Sequence, residues 1–302
     1  MDVSKLMFRE GLMKDERVLV TGGGTGLGRE MTEAFLKLGA KVHICGRRQG
    51  KLEETAQELM DLHGAASGGE VHAHACDIRD AAAIDAMVGD IWQHGPLTGL
   101  VNNAAGNFIS RTEDLSVNGF NAISDIVFRG TFYVTQNVGK RVIAEGGRCS
   151  VLSILTTWVW NGGPFVVPSA MSKSAINTMT QSLAVEWGRY NMRFNAIAPG
   201  LFPTKGMSAR LSPGGRGGNS HDDMNPMGRH GEMHELANLA VFLMAPGAEW
   251  VNGQTIAIDG AGYQATGGNF FAALKDMDDG DWERMREMIK GTNAQDKAER
   301  TT

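Results

Sequence analysis

The chain has 302 residues, 42% of them apolar and 21% charged, with a formal net charge of −5 at pH 7. That apolar share fills the core of a large α/β domain, and the acidic balance argues against nucleic acid or an anionic membrane surface as a general partner. Cys45, Cys76 and Cys149 stand far apart with no CxxC pair, so they read as buried thiols in a reducing, cytoplasmic setting and not as a disulfide framework. Residues 1–20 hold no apolar run suited to a signal peptide, and no later segment approaches a membrane span.

In chain order, short β-rich runs alternate with helical patterns. Strands are predicted at 17–20, 41–45, 71–76, 99–102, 148–154, 193–198 and 255–259. Helices are predicted near 26–38, 50–62, 80–93, 118–145, 170–189 and 232–245. This alternation implies right-handed βαβ crossovers and a doubly wound α/β Rossmann fold around a seven-stranded, mostly parallel sheet. One catalytic domain is expected over residues 1–262. A stretch rich in Gly, Pro, Met and Arg at about 200–231 breaks the rhythm and reads as an active-site lid. Residues 263–302 form a C-terminal extension, in which Trp282, Met285, Met288 and Ile289 mark one side of an amphipathic helix.

Thr21-Gly22-Gly23-Gly24-Thr25-Gly26-Leu27-Gly28 follows the first strand and opens a helix. Glycines there let the backbone approach a pyrophosphate, and the helix N-terminus supplies N–H donors, so the run reads as a dinucleotide loop. After the second strand an NAD enzyme places a carboxylate for the adenosine 2′-hydroxyl. This chain reads Cys45-Gly46-Arg47-Arg48, and two guanidiniums suit a 2′-phosphate, which makes NADPH/NADP the expected cofactor.

From these residues onward the sequence resembles the short-chain dehydrogenase/reductase superfamily over about residues 15–262. The resemblance rests on the glycine run, Cys76-Asp77, Asn102-Asn103-Ala104-Ala105-Gly106, Lys173, and Pro199-Gly200 followed by Thr204. It implies that Asp77 touches the adenine, that Asn102 braces the glycine loop, and that Asn103, Ala104, Pro199 and Gly200 line the cofactor. Thr204 would meet the nicotinamide carboxamide or the diphosphate. A homotetramer built on the helices near 118–145 and 170–189 is implied as well. The superfamily's Tyr, four before the Lys, is Ser169 here; its Ser is Thr156, and its helix Asn is Arg129.

A narrower resemblance, to 2,4-dienoyl-CoA reductases of the mitochondrial type, absorbs most of that departure. Its runs are Asn102 to Ser110, Phe165 to Ala170 and Met192 to Gly200, continuing through Thr204-Lys205-Gly206. The catalytic set implied is Asn107, Ser169 and Lys173, with Trp158 at the position where that family has Tyr. Phe108 would touch substrate beside Asn107 and Trp158, while Lys205 and Arg210 would meet the phosphates of an acyl-CoA thioester. Hydride addition to a dienoyl thioester leaves charge on the thioester oxygen, which needs hydrogen-bond donors; a ketone needs a proton acid at once. Indole donates one N–H and transfers no proton at neutral pH, so Trp158 suits conjugate reduction better than ketone reduction.

Other readings stay open. An alcohol or ketone oxidoreductase would recruit a different acid, such as Tyr133 or Tyr190, and a non-catalytic NADPH-binding scaffold would use the loop alone. Ser169 reads equally as a helix N-cap, Trp158 as a packing aromatic, and Arg129 as the partner of Asp125 one turn back. His230 and His234, with His221, Asp222 and Asp223 upstream, raise the question of a metal, but no strong third ligand follows and none is expected. His72 and His74 alternate with apolar residues and read as polar positions on one face of a strand.

Overall fold

The computed structural model describes residues 1–204, 225–266, 276–285 and 287. The chain falls into two compact units, Met1–Ala261 and Gly262–Thr302. In the second unit residues 279–285 are helical. Most of the expected lid, together with Met288 and Ile289, lies outside the described residues.

The first unit carries seven strands, β1 Arg17–Thr21, β2 Lys41–Gly46, β3 Glu70–Ala75, β4 Gly99–Asn102, β5 Cys149–Ile154, β6 Met192–Pro199 and β7 Thr255–Ile258. They lie in the order β3-β2-β1-β4-β5-β6-β7, and every pairing is parallel. The helices between them are α1 Gly26–Lys37, α2 Gln49–Leu59, α3 Ala81–Gln93, α4 Val117–Ser124, α5 Thr131–Glu145, α6 Trp158–Asn161, α7 Val167–Glu186 and α8 Met233–Met244. The chain winds outward from β1 to β3 and then restarts at β4. That reversal opens a crevice at the carboxyl ends of β1 and β4, where such sheets bind ligands.

Strand residues divide between two buried layers, which is why the strands read as unbroken apolar runs. Val18, Val20, Val42 and Ile44 join Phe35 of α1 and Leu236 of α8, whereas Leu19, Cys45 and Leu100 join Ile84 of α3 and Val134 of α5. All three cysteines are free and buried, as their spacing suggested.

The helix predicted at 118–145 is not continuous. A π-helical segment, Asp125–Gly130, separates α4 from α5. Gly130 there lies so close to Ile78 that a Cβ on it would sit 2.8 Å from Cγ1. Widened turns of this kind gather at functional sites. The helix predicted at 170–189 begins earlier, at Val167, with Pro168 in its first turn, where the missing proline N–H costs nothing.

One polar cluster lies on the α3/α5 side of the sheet. Arg17 Nη1 is 3.1 Å from His43 Nε2, and His43 Nδ1 is 2.9 Å from His74 Nε2. Arginine only donates, so His43 Nε2 accepts and its Nδ1–H donates to His74. His72 stacks on His43 at 5.0 Å between centroids. The strand alternation placed His72 and His74 on one face; the β2–β3 register sets His43 against them.

Candidate active site

The crevice is edged first by the glycine loop. Gly22 has φ +68°, a left-handed conformation that glycine adopts without strain, and a Cβ on Gly28 would fall 2.4 Å from the Gly22 carbonyl oxygen. The turn therefore closes only because both positions lack side chains. Thr25 at the head of α1 makes no side-chain cap, and the first turn holds no acidic residue. The leading N–H groups of α1 are thus left to an anionic ligand.

Asn103, and not Asn102, braces this loop. Asn103 Nδ2 donates to the carbonyls of Thr21 at 2.9 Å and Gly22 at 3.3 Å. Asn102 ends β4 on the opposite side, where its Nδ2 donates to Thr135 Oγ1 at 2.9 Å and its Oδ1 is buried without a partner. The Thr21 hydroxyl, itself buried, accepts the backbone N–H groups of Asn103 and Ala104, so it ties β1 to the turn after β4. Gly24 packs on Leu52 of α2, and Leu27 packs on the α1/α8 core. Pro199 closes β6, Gly200 rests against Asp259, and the Thr204 methyl lies 3.6 Å from where a Cβ on Gly26 would stand. The segment after β6 thereby reaches the glycine loop.

Arg47 and Arg48 follow β2, exposed and without an ion pair among the described residues. Asp77, after β3, is gripped by Arg79, whose Nε lies 2.9 Å from Oδ1. That hydrogen bond holds the carboxyl below its usual range, and Arg47 adds a smaller contribution. The end of β2 is accordingly a cationic rim next to an already neutralised carboxylate. The loop, the uncapped helix and this rim fit a dinucleotide bearing a 2′-phosphate.

Lys173, on α7, is 5% exposed, and its Nζ donates to the Ile154 carbonyl at the end of β5. Burial with no carboxylate partner pushes its pKa down to about 8. Ser169, one turn earlier, is buried within the helix; the cap position is Val166, so the N-cap reading of Ser169 does not hold. Asn107 is half-buried after β4. Its Oδ1 accepts the Phe108 N–H at 2.9 Å, and its Nδ2 meets no acceptor among the described residues. Trp158 opens α6 half-buried, with Gly163 backed against its ring, and its indole N–H likewise has no acceptor there. Thr156 Oγ1, at the turn after β5, is buried without a partner. Spacing had pointed to Thr156, but only the fold shows that its hydroxyl is orphaned. The sequence-predicted Lys205 and Arg210 lie outside the described residues.

Arg129 bonds Asp125 at 3.0 Å and the Tyr133 hydroxyl at 3.1 Å on an exposed helix face, as the one-turn spacing implied. Tyr133 is thus occupied. Tyr190 precedes β6, at the amino edge of the sheet and away from the crevice. Among the described residues no group of three side chains could hold a metal ion.

A family model described as enoyl-(acyl carrier protein) reductase matches residues 22–264. A crystal structure of a short chain dehydrogenase from Bacillus anthracis superposes with a TM-score of 0.74 at 38% identity, covering 83% of this chain and 98% of its own. The chain belongs to the short-chain dehydrogenase/reductase superfamily. It is an oxidoreductase. Among its relatives in this superfamily, a probable 2,4-dienoyl-CoA reductase of Caenorhabditis elegans, described as (3E)-enoyl-CoA-producing, is 40% identical over 297 residues, 97% of this chain and 95% of that protein. A gluconate 5-dehydrogenase from Burkholderia cenocepacia, solved with NADP and tartrate, superposes with a TM-score of 0.77 at 26% identity, covering 85% of this chain and 99% of its own. This dehydrogenase/reductase has Ser169, and not a tyrosine, four residues before Lys173.

Proposed function

We propose that this oxidoreductase reduces a conjugated acyl thioester, 2,4-dienoyl-CoA, to 3-enoyl-CoA with NADPH. The observation that carries the reading is a pair of donors, Asn107 Nδ2 and the Trp158 indole N–H, open among the described residues, in a chain whose buried Lys173 has Ser169 and not a tyrosine four residues before it. NADPH, when bound, supplies the hydride. Asn107 and Trp158 donate to the thioester oxygen as it gains charge, and water protonates the carbon because indole cannot. Lys173 holds the nicotinamide ribose and a positive field beside the site, with Ser169 bridging to it. The activity named for the C. elegans relative supports this assignment.

Arg47 and Arg48 hold the 2′-phosphate, and the NADP in the related dehydrogenase supports that choice of cofactor. Asp77 lies at the adenine, while the glycine loop, Asn103, Ala104, Pro199, Gly200 and Thr204 line the dinucleotide. Replacing both Arg47 and Arg48 with alanine raises the Kd for NADPH about 100-fold, against a few-fold for NADH, by fluorescence titration. Equal losses for the two cofactors would remove the arginines from the phosphate site.

Lys205 and Arg210 are our choice for the CoA phosphates. Phe128, Phe132, Met171 and Val185, exposed on the π segment, α5 and α7, support the homotetramer we infer. No helix among the described residues is long and apolar enough to cross a membrane, and the buried free thiols support a cytoplasmic setting.

The test follows NADPH oxidation together with loss of diene absorbance for 2,4-hexadienoyl-CoA and 2,4-decadienoyl-CoA. Turnover to the 3-enoyl product is expected, and Asn107→Ala lowers kcat by about 10²–10³-fold with NADPH affinity retained. No turnover at any chain length sinks the reading and leaves a cofactor-binding scaffold. The ketone alternative draws little support from the fold, since Tyr133 is tied to Arg129 and Tyr190 stands at the far edge of the sheet.

A further inference from the structure

Four large apolar side chains stand exposed on two loops beside Asn107 and Trp158. Phe108 is 37% and Ile109 47% exposed on the loop after β4; Trp160 is 42% exposed on α6 and Phe165 57% on the turn between α6 and α7. The Ser110 N–H donates to the Phe165 carbonyl at 2.9 Å, which joins the two loops. Phe165 has φ +64°, a backbone state that a residue with a Cβ adopts only at a cost. What keeps it there is the same bond, together with the buried Val166 and with Gly163 pressed on the Trp158 ring. The strained turn leaves the Phe165 ring 57% exposed, on a loop bonded to the one that carries Asn107 and Phe108, where a core-packing role gains nothing. Exposed apolar patches mark protein, membrane or ligand contacts, and this one lies on the loops that carry Asn107 and join Trp158 to the following helix.

We propose that Phe165, with Ile109 on the loop bonded to its own, forms the wall on which the hydrocarbon tail of the acyl group lies, so that Phe165 sets the chain-length preference. The inference rests on the dienoyl-thioester reading above. With the thioester oxygen at Asn107 and Trp158, the tail must leave along one of the adjoining loops. Phe108 and Ile109 continue directly from Asn107 along the chain, and Phe165 is bonded to that loop through Ser110. The polar CoA end has no use for such a rim, whereas each tail methylene withdrawn from water strengthens binding.

Phe165→Gly tests this, because glycine accepts the left-handed backbone and the turn is retained. The ratio of kcat/KM for 2,4-decadienoyl-CoA to that for 2,4-hexadienoyl-CoA is expected to fall about tenfold in the variant. An unchanged ratio, including a parallel fall for both substrates, overturns the proposal. Calorimetric titration with decanoyl-CoA, which cannot be reduced, and with CoA alone keeps the wall testable even where no dienoyl thioester is turned over. The wild type should bind decanoyl-CoA more tightly than CoA, and Phe165→Gly should lose about tenfold of that preference. A preference that is absent, or that survives intact in the variant, rejects the wall.

Discussion

Lys173→Met lowers kcat/KM for a 2,4-dienoyl-CoA by about 10²–10³-fold and raises the thermal midpoint. Both effects have one cause. Burial holds the Lys173 ammonium at a pKa of about 8, below its ordinary 10.5, so the folded chain keeps a charge away from water. Below pH 8 both folded and unfolded chains carry the proton, and the folded state bears the full penalty. Between 8 and 10.5 the unfolded chain binds more protons, and stability rises with pH. The gap is worth roughly 3 kcal/mol. Stripping the Ile154 carbonyl of its donor returns about 1–3 kcal/mol of that, which leaves a net gain of about 0–2 kcal/mol at pH 7. In the wild type, kcat/KM falls as pH rises through about 8, because the neutral amine no longer supplies the positive field. Lys173→Arg, charged throughout, flattens that limb. A Met variant with wild-type kcat/KM would take Lys173 out of the site.

Acid unfolding starts early, and His43 is the reason. Burial, followed by His74, His72 and Arg17, pushes its pKa down to about 3; His94, whose carbonyl accepts Arg17, adds a smaller repulsion. The unfolded imidazole titrates near 6.5, so below that pH the unfolded chain binds a proton that the folded chain refuses. Stability is therefore complete above pH 6.5 and is lost as pH falls toward 3. The loss from this group reaches roughly 3 kcal/mol by pH 4.5. His74, also held below its usual value by burial and by His72 with Asp90 opposing, adds to it. His43→Gln keeps both hydrogen bonds, accepting from Arg17 and donating to His74, and does not titrate. Urea unfolding at pH 7 and at pH 4.5 should show the variant losing markedly less stability than the wild type. Equal losses would mean that groups other than His43 drive acid unfolding.

The order of elements, the glycine loop with its arginine rim, and the lysine could all be found in the sequence, because each is a local signal. Strand runs, turn glycines and helix starts depend on neighbours a few residues away. Seven strands predicted from alternation correspond to the seven observed, each within a residue or two at its ends.

What the sequence could not settle were matters of direction and of distant pairing. Asn102 and Asn103 are adjacent, yet the end of β4 sends one to Thr135 and the other to the glycine loop. Ser169 carries a capping side chain but lies inside a helix that starts at Val167, because Pro168 fits the first turn. A π segment interrupts a stretch whose apolar pattern reads as one helix. His43 meets His72 and His74 only through the β2–β3 register, and the left-handed Phe165 is bonded through its carbonyl to Ser110 of another loop. Local patterns determined a doubly wound Rossmann fold with a dinucleotide loop, and the family resemblance of its motifs pointed to an oxidoreductase. Which side chains share the crevice was decided by strand register and loop-to-loop hydrogen bonds, contacts between residues too far apart in sequence for any local pattern to encode.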